Sequence, residues 1–90
     1  MRVALICIDK PGALQTRLDN RPAHVEHLNA SGAVELAGPF LDAEGNMSGS
    51  LIVLEVPDLV AAHAWAEADP YAKAGLFESV AIRAWKKVIG

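Results

Sequence analysis

Four stretches of the chain have the hydrophobic patterns of β-strands. The first, Val3 to Ile8, is an unbroken apolar run that ends at a turn-forming Asp-Lys-Pro-Gly sequence, which predicts a strand buried on both faces. Residues 33–40 alternate weakly and predict a strand with one exposed face, while residues 49–56 carry a second run that is apolar on both faces, Leu51 to Leu54. Residues 76–85 predict the fourth strand.

Helical patterns fill the intervals after the first and third strands. Because Pro22 argues against one uninterrupted helix that reaches Ser31, we expect the first helix to begin with Asn20 as its N-cap and to end near Ser31. Positions 21, 24, 25 and 28 would share one face, which points His24 toward the core or its rim. The second helix is expected to start at Asp58 as N-cap and to run from residue 59 to residue 68.

An Asp-Pro pair follows the second helix. Proline disfavours the α-helical conformation in the preceding residue, so that helix should end at or before Asp69. In one interpretation Asp69 is the N-cap of a single new turn, with Pro70 at its first helical position and Gly75 closing it. In the other, Asp69 pairs with a cation, and the upstream candidates are Arg17, Arg21 and His24. Both can hold, because capping uses one carboxylate oxygen and leaves the other free.

The resulting order, βαββαβ, is that of the ferredoxin-like α+β fold, a four-stranded antiparallel sheet with two helices on one face. The first and third strands are then central and the second and fourth are edges. A sheet covered on one face should be polar on the other, yet both central strands are apolar on both faces. We therefore expect a homodimer that buries the open sheet face of each copy.

Composition limits the classes of protein that are possible. Ninety residues predict a single domain, residues 1–90, of which 52% are hydrophobic and 21% charged. A net charge of -3 shows no basic surface, which argues against nucleic acids and against anionic membranes as partners. The single cysteine, Cys7, permits no internal disulfide, and a cytoplasmic protein with a buried, inert thiol is expected.

One constellation of residues could carry acid–base chemistry: Arg21, His24 and Asp69. A histidine held by a carboxylate through one ring nitrogen presents the other as a general base near neutral pH. An arginine one turn before it could bind a substrate carboxylate or enolate. On spacing alone, a purely structural histidine hydrogen-bonded to a carboxylate at a helix end is the competing interpretation.

Metal and cofactor sites are not expected. His24 and His27 lie three apart on the predicted helix, but no third ligand accompanies them, so His27 is predicted to face solvent and no metal is assigned. The chain also lacks a glycine-rich phosphate-binding loop, since Gly45 and Gly49 belong to a hairpin. We predict no cofactor.

Several motifs resemble, in the same order, those of the YCII-related family. They are Arg21-Pro22-Ala23-His24-Val25, Ala37-Gly38-Pro39, Gly49-Ser50, the run Asp69-Pro70-Tyr71-Ala72-Lys73-Ala74-Gly75-Leu76-Phe77, and Lys86-Lys87-Val88. The resemblance implies a fold similar to that of muconolactone isomerase and other dimeric α+β barrels, in which two ferredoxin-like sheets pack face to face. It also implies an active-site pair that falls on His24 and Asp69. The reactions suggested for the family are those of lyases, isomerases and dehydrohalogenases that act on small acids.

The function predicted is cofactor-free proton abstraction from a small organic acid. His24 would be the base and Asp69 would orient it, and the residues assigned to substrate binding are Arg21, Arg17, Ser50 and Tyr71. The alternatives are a module that binds a small acid without turnover, and a structural dimer. An open cavity between His24 and Asp69 would argue against the structural dimer, which a closed, filled site would favour.

Overall fold

The computed structural model describes all 90 residues and has the predicted order of elements, and the single turn predicted after Asp69 forms a short helix. The elements are β1 (Arg2–Asp9), α1 (Leu14–Ala30), β2 (Val34–Leu41), β3 (Met47–Glu55), α2 (Leu59–Ala68), α3 (Pro70–Lys73) and β4 (Phe77–Ala84). The strands form one antiparallel sheet in the order β2-β3-β1-β4. The prediction of a ferredoxin-like α+β fold with β1 and β3 in its centre is confirmed.

The core lies between the sheet and the helices. Alternate residues of β1 point into it, and Val3 and Leu5 pair across the sheet with Leu54 and Ile52 of β3. Trp65 of α2 closes the core from the helical side. Burying each such large apolar side chain contributes about 1.5–3 kcal/mol, so this one layer is the main source of stability in a small chain.

The opposite face of the sheet carries apolar side chains, some of which are exposed. The intervening residues of β1, Ala4, Ile6 and Ile8, lie on it, and Leu36 of β2 joins them across Val53. Ile8 is 41% exposed and Leu36 is 49% exposed. Within one chain, therefore, β1 is fully buried on one face only.

Helix α1 differs from its prediction. It begins at Leu14, after Ala13, and passes without a break through Pro22, so Asn20 is not its N-cap. Instead, the Asn20 side-chain amide donates to the backbone carbonyl of Thr16, 2.8 Å away and one turn earlier. Proline removes its own N–H from the helix and its ring crowds the carbonyl of Leu18 one turn earlier, and contacts made by α1 on both sides of Pro22 outweigh that cost.

Both predicted caps that follow β3 are confirmed. The Asp58 side chain accepts from the backbone N–H of Ala61 at 2.8 Å and starts α2, while Asp69 ends α2 and caps α3. Gly75 closes the α3 turn with a φ of +71°, a backbone conformation that glycine adopts without strain. None of the three helices has the length and apolar character needed to cross a membrane.

Candidate active site

His24 and Asp69 are in direct contact. The third turn of α1 brings the imidazole to the junction of α2 and α3, where His24 Nδ1 lies 2.8 Å from Asp69 Oδ1. The two residues are only 6% and 2% exposed. The same Oδ1 accepts the backbone N–H of Tyr71 at 2.9 Å. The expectation that the cap and the histidine would use different oxygens is therefore wrong: one oxygen serves both.

This contact selects one form of the imidazole. A carboxylate accepts hydrogen bonds, so Asp69 places the proton of a neutral His24 on Nδ1. His24 Nε2 makes no hydrogen bond within the chain, and the residue lines a cavity. Its free lone pair can therefore accept a proton from a molecule bound there.

Tyr71 holds the imidazole in place from α3. Its ring stacks on that of His24 with centroids 3.9 Å apart and planes 14° apart, and Phe77 contacts it edge-on at 6.0 Å. Tyr71 is fully buried, and its hydroxyl has no hydrogen-bond partner in the chain. Burial raises the pKa of this phenol above its ordinary value, although the nearby guanidinium groups of Arg17 and Arg21 act in the opposite direction.

Arg17 is buried in an ion pair. Its Nε and Nη2 atoms donate to the two carboxylate oxygens of Asp9 at 2.7 and 2.9 Å, and Nη2 also donates to Ser50 Oγ at 3.0 Å. Although burial opposes the charge, the Asp9 hydrogen bond and charge raise the pKa of Arg17, which stays cationic. Because Asp9 neutralises this charge, Arg17 cannot offer a full unpaired charge to a ligand.

Arg21 is the cation that remains free. It is exposed, it lines the same cavity, and its side chain forms no ion pair or hydrogen bond with the rest of the chain. A guanidinium in this position can bind a carboxylate through two parallel hydrogen bonds. The structure thus separates the two arginines that were assigned to substrate binding, one paired and buried and the other unpaired.

The cavity lies between α1 and the helical face of β2 and β3, and has a volume of about 190 Å³. Five of the six predicted site residues line it, namely Arg17, Arg21, His24, Ser50 and Tyr71. Asp69 lies behind His24 instead, so the space is beside the pair rather than between its members. Pockets for drug-sized ligands have volumes of roughly 300–1,000 Å³, so this one suits a smaller molecule.

Sequence reasoning missed part of the site. Asp9 was treated as the end of a strand, although an acid at that point can face the first helix and pair with Arg17. The apolar lining was also missed, because strand pairing decides which residues reach the cavity; it includes Val25, Leu28, Pro39, Met47 and Ile52.

His27 does not face solvent, contrary to its prediction. It is half-buried, and its Nε2 lies 3.2 Å from the backbone carbonyl oxygen of Trp65. The centroids of the imidazole and indole rings are 4.4 Å apart. That carbonyl lies in the last turn of α2, where a histidine N–H can satisfy an otherwise free acceptor. His24 and His27 therefore contact different groups and do not face one another as a ligand pair.

Comparisons with known proteins place this chain in a family. The model of the YCII-related domain matches residues 1–86. Protein YciI of Escherichia coli O6:H1 is 39% identical over an alignment of 89 residues, and the match covers 89% of this chain and 91% of that protein. An uncharacterized protein of Haemophilus influenzae is 32% identical over an alignment of 97 residues, and the match covers 98% of this chain and 99% of that protein.

A solved structure of similar sequence carries a ligand. It is the 5-chloro-2-hydroxyhydroquinone dehydrochlorinase TftG from Burkholderia phenoliruptrix AC1100, in complex with 2,5-dihydroxybenzoquinone. It superposes with a TM-score of 0.89 at 34% identity, covering 96% of this chain and 94% of that one. The fold is thus that of the dimeric α+β barrel proteins, as the sequence predicted. From the match over residues 1–86 and these relatives, the chain belongs to the YCII-related family.

Proposed function

We propose that the protein is a small-molecule enzyme that abstracts a proton from a small organic acid without a cofactor. The observation that carries this proposal is the pairing of His24 Nδ1 with Asp69 at a cavity where His24 Nε2 has no partner. An oriented imidazole with a free nitrogen is what a general base requires. The presence of a cavity argues against the structural dimer as the whole function, since a structural module needs no such space.

In the proposed reaction, Arg21 binds the anionic group of the ligand and His24 Nε2 takes a proton from a carbon next to a carbonyl group. The electrons of the broken C–H bond move toward the carbonyl oxygen and form an enolate. Asp69 stabilises the imidazolium that results, because it already accepts the Nδ1 hydrogen bond at 2.8 Å. Return of the proton to another carbon completes an isomerisation.

Elimination is the second way in which the enolate can react. If the neighbouring carbon carries a leaving group such as chloride, the enolate electrons form a carbon–carbon double bond and chloride departs with its bonding pair. The dehydrochlorinase named above, at 34% identity, supports this lyase-type reaction on a small hydroxylated ring. A cavity of about 190 Å³ is consistent with a single ring.

The setting proposed for this activity is a homodimer in the cytoplasm. The apolar open face of the sheet, with Ile8 and Leu36 exposed, supports the pairing of two copies. The unpaired, buried Cys7 is in keeping with a reducing compartment.

The proposal can be tested by a thermal-shift screen of small organic acids that includes 2,5-dihydroxybenzoquinone, followed by turnover assays of compounds related to those that bind. We expect His24→Ala to bind the ligand and to lose turnover by about 10²–10⁴-fold. His63→Ala, which changes an exposed histidine of α2, is the matched control and should leave both unchanged. Full turnover in His24→Ala would contradict the proposal, while binding without any turnover in the wild-type protein would favour a non-catalytic binding module.

A further inference from the structure

The hydroxyl of Tyr71, a residue that lines the cavity, is one of two completely buried side-chain polar atoms that lack a hydrogen-bond partner in the chain. The other such atom, the indole nitrogen of Trp65, belongs to a residue that does not line this cavity. Buried hydroxyl groups are nearly always paired, because an unpaired one has lost its hydrogen bonds to water without replacement. An unpaired hydroxyl beside such a cavity can therefore donate a hydrogen bond to a molecule bound there.

The surroundings of Tyr71 make it a neutral donor in a fixed position. Burial raises the pKa of the phenol, which keeps its proton at physiological pH. The ring is held by stacking on His24 at 3.9 Å, and the guanidinium carbon of Arg17 lies 4.7 Å from its centroid. Arg17 in turn uses Nε and Nη2 for Asp9 and Ser50, and the N–H groups of its Nη1 make no hydrogen bond in the chain. The guanidinium lies close enough to the Tyr71 hydroxyl to oppose the rise in the pKa of the phenol, but the two groups do not reach hydrogen-bond geometry.

We propose that the Tyr71 hydroxyl and the Arg17 Nη1 group donate hydrogen bonds to the ligand oxygen on which negative charge develops, so that the cavity is a site for an enolate or phenolate oxygen. For catalysis this inference rests on the proton abstraction proposed above. The C–H bond breaks, its proton goes to His24 Nε2, and its electron pair ends on the carbonyl oxygen; Tyr71 keeps its own proton throughout. Tyr71 is thereby a catalytic residue.

Buried donors suit this role better than Arg21. Donors that are already oriented in a water-poor site stabilise charge that appears during the reaction, because they need no rearrangement when it appears. Arg21 is exposed and unpaired, which suits a charge that the ligand carries from the start. The site would thus distinguish a permanent anion at its exposed side from a transient oxyanion at its buried side.

The test uses 4-nitrophenolate, which presents an aromatic oxyanion and reports binding through its absorbance. We expect the wild-type protein to bind it and Tyr71→Phe to bind it about 10- to 100-fold more weakly, the usual effect of removing a hydrogen bond to a charged group. Nitrobenzene, which has the same ring without the oxyanion, should bind both proteins within about twofold. Ser48→Ala, which removes a hydroxyl outside this cavity, is the matched control and should not change the affinity for either compound.

Unfolding of Tyr71→Phe in urea is the second measurement. Because the hydroxyl has no partner in the chain, the variant should be as stable as the wild type or more stable. The inference is overturned if the wild type does not bind the phenolate at millimolar concentration, if Tyr71→Phe binds it equally well, if nitrobenzene is weakened equally, or if the variant is destabilised. If the protein binds the phenolate in a Tyr71-dependent manner but shows no turnover, the proposed enzyme activity is rejected and the oxyanion site is still supported.

Discussion

A single oxygen atom of Asp69 connects a helix start with the candidate general base. Oδ1 accepts the Tyr71 N–H that begins α3 and also contacts His24 Nδ1. The position of His24 therefore depends on the same short turn that places Tyr71. An aspartate is suited to this double task because each carboxylate oxygen has two lone pairs.

Substitution of Asp69 separates these two tasks. Asp69→Asn retains an oxygen that can accept from both the Tyr71 N–H and His24 Nδ1, but it removes the negative charge that stabilises the imidazolium formed when His24 takes up a proton. We expect turnover to fall by about 10²–10⁴-fold with little loss of stability. Asp69→Ala should also lose the cap, which costs about 1 kcal/mol more in the free energy of unfolding.

Asp58→Ala provides the control for these variants. It removes the N-cap of α2, which is exposed and outside the cavity, so it should cost about 1 kcal/mol and leave turnover unchanged. Turnover assays and urea denaturation of the three variants give the comparison. Full turnover in Asp69→Asn would assign Asp69 to capping alone.

Cys7 is a buried ionisable residue whose thiol forms no disulfide. Burial, the largest effect, raises the pKa of its thiol to about 12. The unfolded chain has a cysteine pKa of about 8.5. Below that pH the thiol is protonated in both the folded and the unfolded state, so the stabilising effect of its raised pKa is fully present. Above it, the unfolded state releases the proton first, and stability falls as the pH rises toward the folded value.

We therefore expect the free energy of unfolding to decrease above about pH 9, by up to about 1.4 kcal/mol per pH unit from this one group. Cys7→Ala should be less stable at neutral pH but should show a shallower decrease. Some slope will remain, since the pKa of Tyr71 is also raised by burial. Urea unfolding at about pH 8, 9 and 10 measures both slopes, and identical slopes in the two proteins would refute the assignment to Cys7.

The β2–β3 hairpin forms the sheet wall of the cavity, and a glycine near its turn permits close approach to β1. Gly49 pairs with Ile8 of β1 and Phe40 of β2. A Cβ at this position would collide with the Cys7 carbonyl oxygen and would lie 3.0 Å from Phe40 Cδ2. The strands could accommodate it only by moving apart.

Gly49→Ala should consequently destabilise the protein by about 1–3 kcal/mol, the usual cost of overpacking. Gly38→Ala is the matched control, because Gly38 lies in the neighbouring strand with open space around it and no positive φ. The control should be neutral or stabilising by about 0.4–1 kcal/mol, since alanine has less freedom in the unfolded chain. The free energies of unfolding in urea test both, and an equal effect of the two substitutions would exclude the steric explanation.

The whole molecule has two faces of unequal character. One face of the sheet is covered by helices, and the other is only partly covered, since Ile8 and Leu36 are exposed on it while Val53 is buried. Apolar surface of this kind is stabilised when it is removed from water, and a second copy offers the same surface. The dimer proposed above follows from this asymmetry.

We expect the protein to sediment as a dimer at micromolar concentration, with on the order of 2,000 Å² or more buried in total. Leu36→Arg should convert it to a monomer, because a buried arginine would lack a partner on the apolar face. Val60→Arg, at a residue of α2 that is 77% exposed, should remain dimeric. If the wild-type protein sediments as a monomer at that concentration, the proposal of a dimer is refuted.

The local sequence determined the elements and their caps. The apolar runs of β1 and β3, the Asp58 cap and the Asp69-Pro70 turn were all predictable, because strand burial and helix capping depend on residues close in the chain. The start of α1 was not, since contacts with other elements, Arg17 with Asp9 and His24 with Asp69, stabilise a helix that local rules would begin only at Asn20.

The tertiary structure decided which role each candidate site residue can take. His24 and Asp69 are 45 residues apart, and the sequence suggested their pairing but not that one oxygen serves both the cap and the imidazole. It also could not show that Arg17 is neutralised while Arg21 is free, or that the Tyr71 hydroxyl is unpaired. These properties depend on distances of a few ångströms between separate elements, and packing sets such distances only when the sheet and helices come together.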